Sequence, residues 1–287
     1  MAREKERPKI GLVLGGGGAK GMAHLGVLKV LEEAHFPIDY IAGTSVGAFI
    51  GGAYASGVPL NEMIEVAKRV RWNDLGRLTI SKMGWRDSSR MEDFIREHFP
   101  ARTFEELRIP LAVVAADICT GQMRIFTSGD LARAIRASCA IPGFFTPVID
   151  EAGRMLVDGG IVANLPTLVA ISLGADRVIA VNVNAHPVLT TPPTNVFQLY
   201  FQSLAIMAQT SQHYLMEYAD VIVTPDVGSI FWDELDRAEE AIRAGEEAMR
   251  QKLPACRQLL RRKREGLLSR LAKALIVDRR RAAPLKY

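Results

Sequence analysis

Three short glycine-bearing motifs hold the residues whose types and order suit nucleophilic chemistry. The first is Gly43-Thr44-Ser45-Val46-Gly47, a G-x-S-x-G pentapeptide. A serine so placed becomes a nucleophile when a strand feeds the turn and a helix leaves it. Its oxygen then stands exposed at the helix start, where the helix dipole favours developing negative charge. Gly43 and Gly47 let the backbone pass at close range. Without that strand and helix, the same residues make only a glycine-rich turn with an incidental serine.

The second motif, Gly15-Gly16-Gly17-Gly18-Ala19-Lys20-Gly21, exposes consecutive backbone N–H groups ahead of a helix, a geometry that suits an anion. It is not a Walker loop, because Lys20 is followed by Gly21 and not by Ser or Thr. Gly16, Gly18 and Gly21 do satisfy G-x-G-x-x-G, the dinucleotide fingerprint. The acidic partner is misplaced, however, since Asp39 precedes the second strand and does not end it. A third use is an oxyanion hole within Gly16, Gly17 and Gly18, with Gly17 and Gly18 as the leading donors. Each such donor is typically worth ~3 kcal/mol in the transition state.

A serine that attacks must lose its proton to a base. The third motif, Asp158-Gly159-Gly160, follows the apolar run Met155 to Val157 and offers a carboxylate. Asp-Gly is also a common turn, so its weight comes from the need for an acceptor. The five histidines are His24, His35, His98, His186 and His213. None occupies a glycine turn or strand end. In the order serine, acid, histidine, His186 or His213 remains open as the base of a Ser–His–Asp triad behind Asp158.

Elements must position these motifs. Lys9 to Leu14 reads as a buried strand ending at the glycine loop, and Lys20 to Ala34 has helical spacing with Leu25, Leu28 and Leu31 on one side. Asp39 to Ala42 is a second strand, turned by the serine motif into a helix to about Ser56. A further helix spans Leu60 to Val70. Arg71 to Arg90 is apolar without a clean period, as in a loop or lid. Leu111 to Ala115 and Met123 to Thr127 pair around Thr120-Gly121, and Leu131 to Cys139 is helical. A hairpin spans Val148 to Val157. Strands follow at Arg177 to Val183 and Asp220 to Thr224, with a Pro/Thr-rich loop at Pro187 to Asn195. After Asp233 the pattern is helical almost to the end. Strands alternating with helices predict a three-layer α/β fold, its mostly parallel sheet flanked by helices.

In this order the three motifs resemble the patatin-like phospholipase family. Ala137-Ser-Cys-Ala-Ile-Pro-Gly143 is similar to that family as well, especially to bacterial members and the catalytic domain of neuropathy target esterase. The motifs cover Lys9 to about Asn164, and the likeness extends in topology toward Thr224. The resemblance implies a Ser–Asp dyad of Ser45 and Asp158, with an oxyanion hole in the first glycine loop. It implies hydrolysis of phospholipids or lysophospholipids with neither metal nor cofactor. Lys20 fills the family's basic position, and Gly21, Gly43, Gly47, Gly159 and Gly160 support the motifs. Two other functions stay open: a general carboxylesterase or thioesterase, and a lipid- or nucleotide-binding regulator without turnover. Met22, Phe144, Phe145 and the span from Trp72 to Trp85 are apolar groups suited to lining an acyl site.

The bulk properties bound the rest. At 287 residues, 48% hydrophobic and 24% charged, the chain has the composition of a globular protein, and no apolar run approaches the ~18 residues that span a bilayer. Met1 to Lys9 does not read as a signal peptide. Three scattered cysteines, Cys119, Cys139 and Cys256, point to a reducing cytoplasm. The expected organisation is a hydrolase domain over 1–230 and a helical extension over 231–287. Net charge is +4, yet Arg257 to Tyr287 holds 11 Lys/Arg against 2 Asp/Glu, a local +9 that leaves the remainder at −5. Arg261-Arg-Lys-Arg264 precedes Leu267, Leu268, Leu271 and Leu275 at helical spacing. Such a tail suits peripheral contact with an anionic membrane, or docking of its leucines on the domain. Nucleic acid is not expected, since no aromatics interleave with the charges before Tyr287.

Overall fold

The computed structural model describes residues 7–261 except 80, 82, 186–191 and 194–195. The basic tail from residue 262 with its leucine stripe, most of the Pro/Thr-rich stretch, and His186 therefore lie outside the described residues.

From β1 (Ile10–Leu14) the chain enters a 3-10 turn (Gly18–Met22) and α1 (Ala23–Glu33). Next come β2 (Tyr40–Thr44), α2 (Val46–Ser56), α3 (Leu60–Arg69), α4 (Trp72–Leu75), β3 (Arg77–Leu78), β4 (Gly84–Asp87) and α5 (Ser89–His98). The middle of the chain supplies β5 (Leu111–Asp117), β6 (Met123–Phe126), α6 (Leu131–Ser138), β7 (Gly143–Phe145), β8 (Val148–Ile149) and β9 (Met155–Asp158). It closes with α7 (Gly160–Ala163), α8 (Thr167–Ser172), β10 (Arg177–Val181), α9 (Val196–Met216), β11 (Val221–Val223) and α10 (Ala238–Leu259).

Strands β11-β10-β1-β2-β5 run parallel in that order. Every residue of β1, β5 and β10 is buried, as a sheet covered on both faces by helices requires. The expected three-layer, mostly parallel α/β fold is the observed one. Both expected hairpins are present, β5 with β6 and β8 with β9, each antiparallel. On one face α1 carries Leu25, Leu28 and Leu31 into the main core. The C-terminal α10 lies against α1 so closely that a Cβ on Gly26 would stand 1.9 Å from the Ile242 carbonyl oxygen.

The span Arg71 to Arg90 divides. Trp72 joins an aromatic cluster with Phe144 and Trp232 at centroid distances of 5.1 and 5.5 Å, and its indole donates to the Asp233 carbonyl at 2.9 Å. Leu78, Met83 and Trp85 are exposed. Between them β4 pairs with β3 and, in parallel, with β7, a small second sheet that irregular apolar spacing does not announce.

How the sheet brings distant residues together is read from its registers. Val113 and Val114 of β5 pair with Gly43 and Thr44 of β2 and also with Phe126 and Ile125 of β6. A strand has only two edges, so β2 and β6 take opposite ones. Ala115 and Ala116 pair with β6 and with β9, so β9 takes the β2 edge just where β2 leaves it. β2 runs parallel to β5 and β9 antiparallel, so their C-terminal ends point at one another. Thr44 stands opposite Val114 and Asp158 opposite Ala115. The residue after Thr44 therefore meets Asp158.

Candidate active site

That residue is Ser45. It sits between β2 and α2 with φ 54° and ψ −127°, a left-handed backbone that costs a non-glycine residue about 1 kcal/mol or more. Two anchors hold it there. The Ser45 N–H donates to Ser138 Oγ at 2.8 Å, and Ser138 in turn donates to the Val114 carbonyl at 2.5 Å. Thr44 Oγ1 donates to the Ala163 carbonyl at 2.8 Å. Gly47 is required by contact, since a Cβ there would stand 2.1 Å from the Leu14 carbonyl oxygen. Its absence lets α2 cross directly over the end of β1.

Ser45 Oγ donates to Asp158 Oδ2 at 2.5 Å, and the other carboxylate oxygen accepts from the Gly160 N–H at 2.7 Å. Both side chains are buried. Burial pushes the Asp158 carboxyl up to about 6 from an ordinary 3.8, against the opposing pull of the hydrogen bonds from Ser45 and Gly160. The carboxylate is thereby a better proton acceptor than a solvated aspartate. Cys139 is the other potential nucleophile beside Ser45. Burial and the charge of Asp158 push its thiol well up, so it stays protonated.

The glycine loop passes beside Ser45, where a Cβ on Gly16 would stand 3.1 Å from the Ser45 Cβ. Gly15, Gly16 and Ala19 donate their N–H groups to the carbonyls of Val181, Asn164 and Trp232. The N–H groups of Gly17 and Gly18 have no acceptor among the described residues. Gly18 adopts φ +58°, open to glycine at little cost. Gly16, expected within the same oxyanion loop, differs from both. Its N–H is taken by Asn164, and its carbonyl accepts from Asn164 Nδ2 at 3.3 Å and Asn184 Nδ2 at 2.7 Å. Gly16 thus holds the loop in place through both its N–H and its carbonyl.

Asn164, Asn184 and Ser138 belong to none of the three glycine motifs. For Asn164 a signal exists, a lone amide inside the apolar run Ile161 to Leu165, since a buried polar group needs partners. Ser138 lies within the Ala137 to Gly143 segment, where nothing in its neighbours marks it as an anchor.

None of the described histidines reaches the Ser45–Asp158 pair. His24 is wholly buried, its Nε2 bonded to the Gly15 carbonyl at 2.8 Å, and burial lowers its pKa to about 4. His98 stacks on Phe94, while His35 and His213 are exposed. Among the described residues no histidine hydrogen-bonds to Ser45 or Asp158.

Two cavities meet at Ser45. One is apolar and runs between α2, α3 and α5, walled by Phe49, Met63, Met91 and Phe145 among others. The other holds Lys20, Asp158, Asn164, Asn184 and Gln202 beside apolar groups from α9 and the Ile230 to Trp232 turn. Burial lowers the Lys20 pKa.

The family model described as patatin-like phospholipase matches residues 12–171. A lysophospholipase, NTE1 of Mycosarcoma maydis, is 38% identical over 191 residues, 64% of this chain and 10% of that protein. Human patatin-like phospholipase domain-containing protein 6 is 37% identical over 195 residues, 65% of this chain and 14% of that one. An NTE family protein of Mycobacterium tuberculosis is 40% identical over 185 residues, covering 63% of this chain and 51% of its own length. The chain thus spans between a tenth and about half of the curated relatives it matches. Among solved structures, VipD of Legionella pneumophila shares the fold with a TM-score of 0.54 at 14% identity, over 87% of this chain and 67% of that one.

Proposed function

This chain belongs to the patatin-like phospholipase family, and from that premise we propose that it hydrolyses acyl ester bonds of phospholipids or lysophospholipids through Ser45 and Asp158. The observation that carries the proposal is that Ser45, at the head of an apolar cavity, donates its Oγ hydrogen bond to the buried Asp158 carboxylate at 2.5 Å. Asp158 takes the hydroxyl proton as Ser45 attacks the ester carbonyl. The negative charge that forms on the carbonyl oxygen falls to the Gly17 and Gly18 N–H groups and to the N-terminus of α2. Asp158 then protonates the departing alcohol, leaving acyl-Ser45. It next takes a proton from an attacking water, and the fatty acid leaves with Ser45 restored. Lys20, a basic side chain lining the mixed cavity, suits a phosphate on the departing portion. The test is incubation of the protein with mixed phospholipids and lysophospholipids, followed by mass spectrometry of the lipids. Release of free fatty acid matched by the deacylated lipid is the expected result. Turnover of water-soluble esters alone would make the protein a general esterase, and absence of any turnover would leave a binding protein.

Contact with a lipid surface has two supports of different physical kind. α9 walls the mixed cavity and holds no Asp, Glu, Lys or Arg in its 21 residues, while Val196, Leu199 and Met207 are exposed on it. Leu199→Glu, outside both cavities, is expected to lower hydrolysis of vesicle-held lipid several-fold and leave turnover of a soluble butyryl ester intact, at low and high salt alike. Equal loss on both substrates would assign the effect to folding.

The basic tail acts through charge. Deleting residues 261–287 is expected to weaken binding to anionic vesicles, and raised salt should mimic the deletion. Vesicle binding that survives the deletion unchanged would remove the tail from the account.

A further inference from the structure

Resting on that reading, we propose that the apolar cavity behind Ser45 is an acyl-length gauge, with Ala53 at the end away from Ser45 setting how long a chain it accepts. The cavity follows one face of α2. Its wall there is Val46, Phe49, Ile50 and Ala53, the spacing of a single helical stripe. Ser45 stands at the start of that stripe. Ala53 is its last member, for α2 ends three residues later and turns at Gly57 with φ 95°.

The neighbouring helices agree on which end is which. α3 runs the other way. It starts four residues after α2 ends, next to Val58, whose N–H donates to the Ala53 carbonyl, so Glu62 and Met63 lie toward the Ala53 end, while Val70 leads on to Trp72, which packs on Trp232 beside Gly18. α5 starts next to the small sheet and ends at His98 and Phe99. The Phe99 ring lies against Phe49 at 5.5 Å. The far end is therefore marked by a change of chemistry. Apolar walls give way to the exposed carboxylate of Glu62 and the His98 imidazole, whose Nδ1 is bonded to the Phe94 carbonyl.

Ala53 lies eight residues on from Ser45, about 12 Å of helix rise. An extended chain of single bonds advances roughly 1.2 Å per bond, so about ten acyl carbons fill that length. Each methylene inside the cavity is worth roughly fourfold in binding. A carbon driven past Ala53 meets Glu62 and His98 and gains nothing. The substrate class this selects is an ester whose acyl chain is of medium length, or a longer chain of which only the first part is held.

The test compares butyryl, decanoyl and palmitoyl nitrophenyl esters. For the wild type, kcat/KM should rise from butyryl to decanoyl and stop rising by palmitoyl. Ala53→Phe should lower the decanoyl-to-butyryl ratio at least tenfold, and the smaller Ala53→Leu should fall between, with folding checked by Tm. Displacement of a fluorescent fatty acid by hexanoate and decanoate, in Ser45→Ala with and without Ala53→Phe, reads the same ratio without turnover. A ratio that Ala53 variants leave unchanged in both assays would overturn the gauge, whatever the catalytic rate. If the binding ratio shifts while no ester is turned over, the gauge stands and the hydrolase reading falls.

Discussion

Ser45→Ala is expected to abolish covalent labelling by a fluorophosphonate and to lower ester turnover by on the order of 10^5-fold or more, the scale on which removal of a serine nucleophile acts. The fold should survive. The substituted alanine inherits the left-handed backbone of Ser45, a strain already present, and the N–H bond to Ser138 does not involve the lost oxygen. Asp158 loses the donor that opposes its burial, so its carboxyl should move further up and become still more readily protonated. Ser45→Gly would relieve the strain and give an equally inactive protein with a higher Tm. The measurement is stoichiometry of labelling by intact mass, beside melting curves of all three proteins. Labelling of Ser45→Ala at another serine would move the active site elsewhere.

Much of this site was legible because its parts are local. A glycine where a Cβ would stand 2.1 Å from a carbonyl oxygen, a serine between a strand and a helix, and a loop of successive glycines each announce themselves within seven residues. The sheet was legible for a similar reason, since β1 is apolar throughout and β5 and β10 are apolar apart from Asp117 at the end of one and Arg177 at the start of the other. Other features depend on contacts across the chain and left no local trace. That β2 and β9 share one edge of β5 follows from registers, and it alone explains why Ser45 meets Asp158. The capture of the Gly16 N–H by Asn164 joins residues far apart in the chain. α9 escaped because its pattern is inverted: without charges, and with apolar side chains on its exposed side, it lacks the contrast by which a surface helix is read. Trp72 and Trp85 looked alike in sequence. One is pinned to Asp233 and the other is exposed, a difference made by the partner from the far end of the chain.

Asp158→Asn separates the dyad from the triad and makes a second, opposite prediction about stability. The amide matches the carboxylate in shape. Its oxygen can keep the Gly160 N–H, and its NH2 can donate to Ser45 Oγ, but it accepts no proton. Turnover should fall by about 10^3-fold or more, whereas His24→Phe, chosen to fill the same buried space, and His213→Ala should each retain most activity in whatever fraction folds. In the wild type, kcat/KM should drop as pH falls through about 6, because protonated Asp158 cannot accept the Ser45 proton.

Stability runs the other way. A carboxyl whose pKa is raised in the folded state, from 3.8 to about 6, favours folding in its protonated form. That contribution is full below the lower value and is lost as pH rises through the upper one. At neutral pH and above the charged, buried Asp158 costs the fold roughly 2–3 kcal/mol, a penalty the neutral asparagine escapes. Asp158→Asn should therefore melt several degrees above the wild type at pH near 8, with the gap closing toward pH near 4. A gap that ignores pH would mean the carboxyl is not raised. Loss of several orders of magnitude on replacing His213 or His186, with normal melting, would replace the dyad by a triad.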